Sequence, residues 1–222
     1  MEGPGGHLAE TNGAADYGET VIRTIFFDVG GVLLTNGWDR HSRARAIADY
    51  GLDAEDFAER HELIAADFEI GKLSLDEYLD RTVFYKEREF GRDSFVDFMR
   101  AQSQPIPGAL ELLAEVSAQG DHLLATLNNE SKELNEFRIE AFGLRDHFAL
   151  FLSSCYLGVK KPDEAMYRVA IDITQHRIEE SLFIDDRELN LECSRLLGIS
   201  SVHYENPEKL RAVLVERGVL TR

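Results

Sequence analysis

From residue 106 to its end the chain alternates short apolar, β-branched runs with longer stretches of helical periodicity, and few folds accept that pattern. The runs are His122–Leu127 (HLLATL), Leu150–Ser153 (LFLS), Ser181–Ile184 (SLFI) and Ser200–His203 (SSVH). Between and after them lie the helical patterns Pro107–Gln119, Glu130–Phe142, Asp163–Ile173, Glu188–Leu197 and Asn206–Arg217. In the first of these, Leu110, Leu113, Ala114 and Val116 keep helical spacing, Pro107 opens the segment and Gly120 closes it. A further run, Val21–Phe27 (VIRTIFF), stops abruptly at Asp28-Val29-Gly30-Gly31, as a buried strand does when it enters a tight loop. Strand and helix in strict alternation predict an α/β fold: a parallel sheet with helices on both faces.

One connection breaks the alternation. Residues 37–104 show helical periodicity only, including Ser74-Leu75-Asp76-Glu77, which has the form of a capping box. A structureless loop of that length is improbable in a compact domain, so the segment is expected to be a small helical cap inserted after the first strand. The expected organisation is a polar, Gly-rich tail over 1–20, a core of 21–36 with 105–222, and the cap over 37–104.

Composition narrows the partners. With 41 Asp plus Glu against 24 Lys plus Arg, the formal charge is −17, which opposes a phosphate backbone or an anionic bilayer; neither a nucleic acid nor a membrane is expected as partner. No apolar run approaches the roughly 20 residues that cross a bilayer, and the first 20 residues lack the basic flank and apolar stretch of a secretory signal. Cys155 and Cys193 have no metal-ligand spacing and read as small reduced side chains, which favours a cytoplasmic setting. Nothing in the sequence specifies an oligomeric state.

In open α/β sheets ligands bind beyond the carboxyl ends of the strands. The residues due there are Asp28, then Asn128 and Asn129, then Lys160 and Lys161, then Asp185 and Asp186. Carboxylates with backbone oxygens make a hard-cation site of the Mg²⁺ type, a lysine beside it adds charge for a phosphoryl group, and an aspartate can act as nucleophile.

Three segments carry a likeness: Ile25-Phe26-Phe27-Asp28-Val29-Gly30-Gly31-Val32-Leu33, Gly158-Val159-Lys160-Lys161-Pro162-Asp163, and Phe183-Ile184-Asp185-Asp186-Arg187-Glu188-Leu189-Asn190. In this order they resemble the haloacid dehalogenase-like hydrolase superfamily. The resemblance implies a Rossmann-like core, with sheet order 3-2-1-4-5 expected, under a helical cap, and Mg²⁺-dependent hydrolysis of a small phosphorylated metabolite through an aspartyl-phosphate. Asp28 then matches the nucleophile and a metal ligand, and the carbonyl of Gly30 matches another. Lys161 matches the lysine that steadies nucleophile and phosphate, Asn128 the asparagine ending the second-strand motif, and Asp185 and Asp186 the acidic pair, with Asp186 the more direct ligand.

The chain departs from that pattern twice. Gly30 stands where most family phosphatases carry a second aspartate, so the general acid–base carboxylate is missing, an assistance worth about 10²–10⁴ in rate. Leaving groups that need little protonation, such as a sugar anomeric oxygen, tolerate the loss. A glycine there also admits a positive φ. Leu127 replaces the usual hydroxyl residue before Asn128; Thr126 could substitute for it only if the strand end is irregular, since side chains alternate faces. Two other functions fit these departures: a non-catalytic descendant that binds a phosphorylated ligand or a protein, and a hydrolytic dehalogenase in which Asp28 attacks carbon. In the cap, Trp38, Arg40, His41, Arg43 and Arg45 are candidates for substrate contact, against the plainer reading of a solvated helix face; His61, His122, His147 and His176 are assigned no role.

Overall fold

The computed structural model describes residues 21–221, so the expected tail over 1–20 lies outside the described residues. Five parallel strands form one sheet: β1 (Thr24–Phe27), β2 (Leu123–Asn128), β3 (Leu150–Ser153), β4 (Ser181–Asp185) and β5 (Ser200–His203). Their order is β3-β2-β1-β4-β5, as expected from the resemblance. β1 is therefore central, and its wholly buried TIFF reads as a continuous apolar run because both faces of the sheet are covered.

Alternation along β1 divides the core in two. Ile25 and Phe27 join one apolar cluster with Leu113 and Val116 of α5 (Ala109–Gln119) and Leu210 and Leu214 of α10 (Pro207–Glu216). Phe26 joins the other with Met166, Tyr167 and Ala170 of α8 (Glu164–Thr174) and Leu191 of α9 (Glu188–Leu196). The remaining core helices are α6 (Lys132–Ala141) and the short α7 (Ser154–Leu157).

Element boundaries shift where local chemistry overrides periodicity. β1 begins at Thr24 rather than Val21, which is exposed. α5 begins at Ala109 rather than Pro107, because Gly108 takes a left-handed φ of 81° and interrupts any helix through it. β2 and β4 each run one residue further than their apolar runs, to Asn128 and Asp185, and so deliver those two side chains to the carboxyl edge of the sheet.

Between β1 and the rest of the sheet stand four helices: α1 (Arg40–Asp49), α2 (Ala54–Glu69), α3 (Leu75–Thr82) and α4 (Arg92–Ala101). Asp39 and Asp53 cap the first two helices, and Ser74 with Glu77 forms the anticipated capping box on the third. The insertion has its own apolar cluster, including Trp38, Phe57, Phe68, Tyr78, Leu79 and Phe95. The two connections to the core are laced together: Thr35 N–H donates to Gln104 O (2.8 Å), Gln104 N–H to Thr35 Oγ1 (2.9 Å) and Thr35 Oγ1 to Gln102 O (2.5 Å).

Tyr78 is the polar pin of that cluster. Its hydroxyl accepts from Trp38 Nε1 at 2.9 Å and lies 2.9 Å from His61 Nδ1. The hydroxyl can donate to a neutral His61 through an unprotonated Nδ1, a bond that a protonated ring cannot accept. Burial, helped by the nearby charge of Arg43, pushes the His61 imidazole down to about 4.

Because the folded value lies below the unfolded value of about 6.5, the unfolded chain binds more protons between the two, and stability falls as pH drops through that window. His61→Gln keeps an acceptor for Tyr78 but removes the titration. The thermal midpoint of the wild type should fall more steeply than that of His61→Gln from about pH 6.5 to about pH 4; parallel slopes would refute this account of the insertion's core.

Candidate active site

Asp28 leaves the end of β1 with its amide still in the ladder, donating to Ile184 O at 2.9 Å. The chain then folds back on itself: Leu33 N–H and Leu34 N–H donate to Val29 O, and Gly31 N–H donates to Leu34 O at 2.7 Å. Gly31, with φ 82°, holds the left-handed conformation, and Gly30 does not. A side-chain carbon at Gly31 would run into the Asp186 carboxylate, so any other residue here strains its backbone and displaces that side chain.

The centre of the site is a buried ion-pair cluster. Lys161, 3% exposed, places Nζ 2.6 Å from Asp185 Oδ2 and 3.1 Å from Asp28 Oδ1. Its position is imposed by Asn129, whose amide takes both backbone groups of Lys161: Nδ2 donates to Lys161 O at 2.8 Å and Oδ1 accepts from Lys161 N–H at 2.9 Å. Asp185 is fully committed to the protein. Besides Lys161 it accepts from Arg187 N–H at 2.8 Å, at the start of α9, and from Asn190 Nδ2, 3.0 Å from each of its oxygens.

Asp186 is different: its Oδ1 is buried with no hydrogen-bond partner among the described residues. Asp28, Asp185 and Asp186 each bring one oxygen to within 4.8 Å of the others. Three carboxylates against one ammonium leave a formal excess of −3 + 1 = −2 in a buried place. The strain appears in the titration behaviour. Burial pushes Asp28 up to about 7; Lys161 opposes the shift, and Asp185 and Asp186 add to it. Asp186 is also raised, by burial and by Asp185, against Arg187 and Lys161. A divalent cation among these oxygens supplies the missing charge and a partner for Asp186, so the residues fit the Mg²⁺ expected from the sequence.

The structure thus gathers Asp28, Lys161, Asp185 and Asp186, with Gly30 in the adjoining turn. Asn128 is at the same edge, but its amide is taken by Ser153 Oγ (2.8 Å) and Asn135 Oδ1 (3.1 Å). β2 is regular to its end, pairing Asn128 with Ser153, and Thr126 Oγ1 is buried with no hydrogen-bond partner among the described residues. Trp38 is in the insertion's core, Arg40, His41 and Arg45 are exposed, and half-buried Arg43 donates to Trp38 O. Burial pushes the Cys155 thiol up to about 12 and also raises Cys193, as befits unreactive thiols. The insertion meets the core beside the site: Lys160 Nζ is 2.6 Å from Glu69 Oε2, and Ser154 Oγ donates to Glu69 O at 2.7 Å.

Comparison with known proteins bears on the family and the fold. The model of the haloacid dehalogenase-like hydrolases matches residues 22–192. Flavin mononucleotide hydrolase 1 of Arabidopsis thaliana is 25% identical over 173 residues, covering 78% of this chain and 69% of that protein. A pyrimidine 5'-nucleotidase of Escherichia coli is 28% identical over 158 residues, 67% of this chain and 69% of its own. Among solved structures, a haloacid dehalogenase family enzyme of Bacteroides thetaiotaomicron, in complex with magnesium and inorganic phosphate, superposes with a TM-score of 0.70 at 19% identity, covering 83% of this chain and 95% of that one.

The close pass at Gly31 is testable. Gly31→Ala meets both a φ penalty of about 1–2 kcal/mol and a collision with Asp186 that displaces the turn or the carboxylate. Calorimetric Mg²⁺ affinity should fall by about tenfold or more in the folded variant, and unchanged affinity would show that Asp186 does not contribute to a cation site.

Proposed function

The chain belongs to the haloacid dehalogenase-like hydrolases, and from that premise we propose that it is a Mg²⁺-dependent phosphatase of a small phosphorylated metabolite, with Asp28 as nucleophile. The observation that carries this reading is the cluster of buried Asp28 and Asp185 and half-buried Asp186 around the single ammonium of Lys161, with one oxygen of Asp186 unsatisfied. Attack on carbon in a dehalogenase needs no cation, and two further carboxylates beside Asp28 would only oppose it. The relatives that hydrolyse flavin mononucleotide and pyrimidine nucleotides, and the Bacteroides enzyme holding magnesium and phosphate, support the same direction.

Bound at Asp28, Asp186 and the carbonyl of Gly30, Mg²⁺ would supply positive charge to a phosphoryl oxygen and to the acidic cluster. Asp28 Oδ1 accepts from Val29 N–H at 2.8 Å and pairs with Lys161, which leaves Oδ2 as the oxygen that attacks phosphorus. The P–O ester bond breaks, the leaving oxygen carries off the electron pair, and an aspartyl-phosphate forms on Asp28. Lys161, held by Asp185 and Asn129, keeps the carboxylate aimed and offsets the charge of the incoming phosphoryl group. Thr126, buried in a strand that is regular to its end, does not replace the missing hydroxyl, and Asn128 braces the end of β2 through Ser153 and Asn135 rather than offering its amide to substrate. Gly30 offers no carboxyl to protonate the leaving group, so the enzyme favours esters whose leaving oxygen is already acidic; a sugar 1-phosphate is one such class. The helical insertion acts as the cap.

The test uses p-nitrophenyl phosphate and a panel of metabolite phosphate esters. Turnover should require Mg²⁺ and vanish in EDTA, and Asp28→Asn, which keeps the shape of the side chain, should lose at least about a thousandfold in kcat with its fold intact. Turnover undiminished by EDTA, or retained by folded Asp28→Asn, would place the chemistry elsewhere.

A further inference from the structure

Outside the cluster of Asp28 and Lys161, one buried charge is unaccounted for. Arg138 on α6 is 2% exposed, and its guanidinium is used on three sides. Nη1 lies 3.2 Å from Glu130 Oε2, Nε donates to Ser103 Oγ at 2.9 Å, and Nη2 donates to Thr35 O at 2.6 Å. Thr35 lies on the connection that enters the helical insertion, Ser103 lies on the one that leaves it, and Glu130 follows the end of β2. The same cation packs against the turn after Asp28. A side-chain carbon at Gly30 would lie 3.6 Å from Nη1, and one at Gly37 would lie 2.4 Å from Nη2.

Three partners set round one plane suit arginine's rigid fork, and the single nitrogen of lysine cannot serve them together. Burying the ion pair is costly unless each partner is satisfied, and here both are: Glu130 Oε1 accepts from Ser131 N–H at 2.9 Å, while Oε2 faces Arg138.

We propose that Arg138 is a positioning residue, charge-balanced by Glu130, that locks both connections of the helical insertion to the turn carrying Gly30. One ion pair then sets both the seat of the insertion over the site and the placement of the turn beside the nucleophile. The pair also occupies the ground next to position 30, so a carboxylate introduced there would be drawn to Arg138 as a second partner. The kinetic part rests on the phosphatase reading; the lock itself does not.

Breaking the lock exposes the connections. In Arg138→Lys and Arg138→Met, limited proteolysis within residues 35–37 and 102–104 of the full chain should accelerate about tenfold or more under native conditions. With p-nitrophenyl phosphate and Mg²⁺, kcat should fall by about tenfold while KM stays within about threefold, the split expected when placement rather than substrate contact is lost. The sharper arm is a cycle on stability. Glu130→Gln leaves Arg138 uncompensated and lowers the thermal midpoint; Gly30→Asp should lower it when introduced alone, since Asn36 Oδ1 would sit 3.1 Å from the new carbon. Combined, the two should recover at least about half of the loss caused by Glu130→Gln, because the Gly30→Asp substitution supplies a carboxylate within reach of Nη1.

Unchanged proteolysis in both Arg138 variants, or midpoint losses that simply add in the double variant, would overturn the proposal. A wild-type chain that hydrolyses no phosphate ester would overturn the phosphatase reading instead, and the proteolysis and the cycle would still decide on the lock, since neither needs a substrate.

Discussion

Everything at the carboxyl edge of this sheet depends on one contact, Lys161 Nζ against Asp185 Oδ2 at 2.6 Å, made where both side chains are out of solvent. A lysine ammonium is tolerated at that depth only because Asp185 and Asp28 surround it, and Asp185 is tolerated only because Lys161, Arg187 N–H and Asn190 saturate its oxygens. The pair ties the end of β4 to the loop before α8 and leaves Asp28 aimed from the central strand. What remains is a surplus of negative charge, concentrated on Asp28 and Asp186. A bound cation would relieve that surplus and give the unsatisfied Asp186 oxygen a partner, which is what supports the proposed Mg²⁺ site.

The turn after β1 is the second constraint. Val29 to Leu34 closes so tightly that Gly31 must adopt a left-handed backbone and present no side chain to Asp186. Gly30 is under no such constraint. Its backbone is unexceptional, and a side-chain carbon there would press on Asn36 Oδ1 and meet the Arg138 guanidinium at ordinary contact distance. The Arg138–Glu130 ion pair proposed to brace the helical insertion thus stands next to position 30.

Much of this was legible before any coordinates. Strands covered on both faces declare themselves as unbroken apolar runs, so Thr24–Phe27 and Ser181–Asp185 were recoverable to within a few residues, and Asp28, Lys161, Asp185 and Asp186 stand at their punctuation. What escaped depends on partners far along the chain. Trp38, next to basic residues in a helix start, suggests a substrate contact, yet it packs inward because Tyr78, 40 residues later, accepts its indole proton. Asn129 stands among strand-end residues with no evident task until Lys161 is seen folded back on it across 32 residues. Arg138 and Glu130 look like ordinary charges in a helical pattern, and only the fold reveals that Thr35 and Ser103 converge on them. A nearby signal was Asn190 in the first turn of α9, whose amide returns to the Asp185 carboxylate at the end of β4.

The central claim is that Asp28 carries the phosphoryl group, and it can be read directly on that residue. With no carboxylate at position 30 to activate water, the aspartyl-phosphate should drain slowly and accumulate during turnover. Turnover of p-nitrophenyl phosphate stopped with acid and reduced with borohydride converts an acyl phosphate on aspartate to homoserine, which peptide mass spectrometry locates. The account predicts homoserine at position 28, formed with Mg²⁺ and absent in EDTA. Reduction at another carboxylate, or none at position 28 in a chain that is turning over, would contradict it.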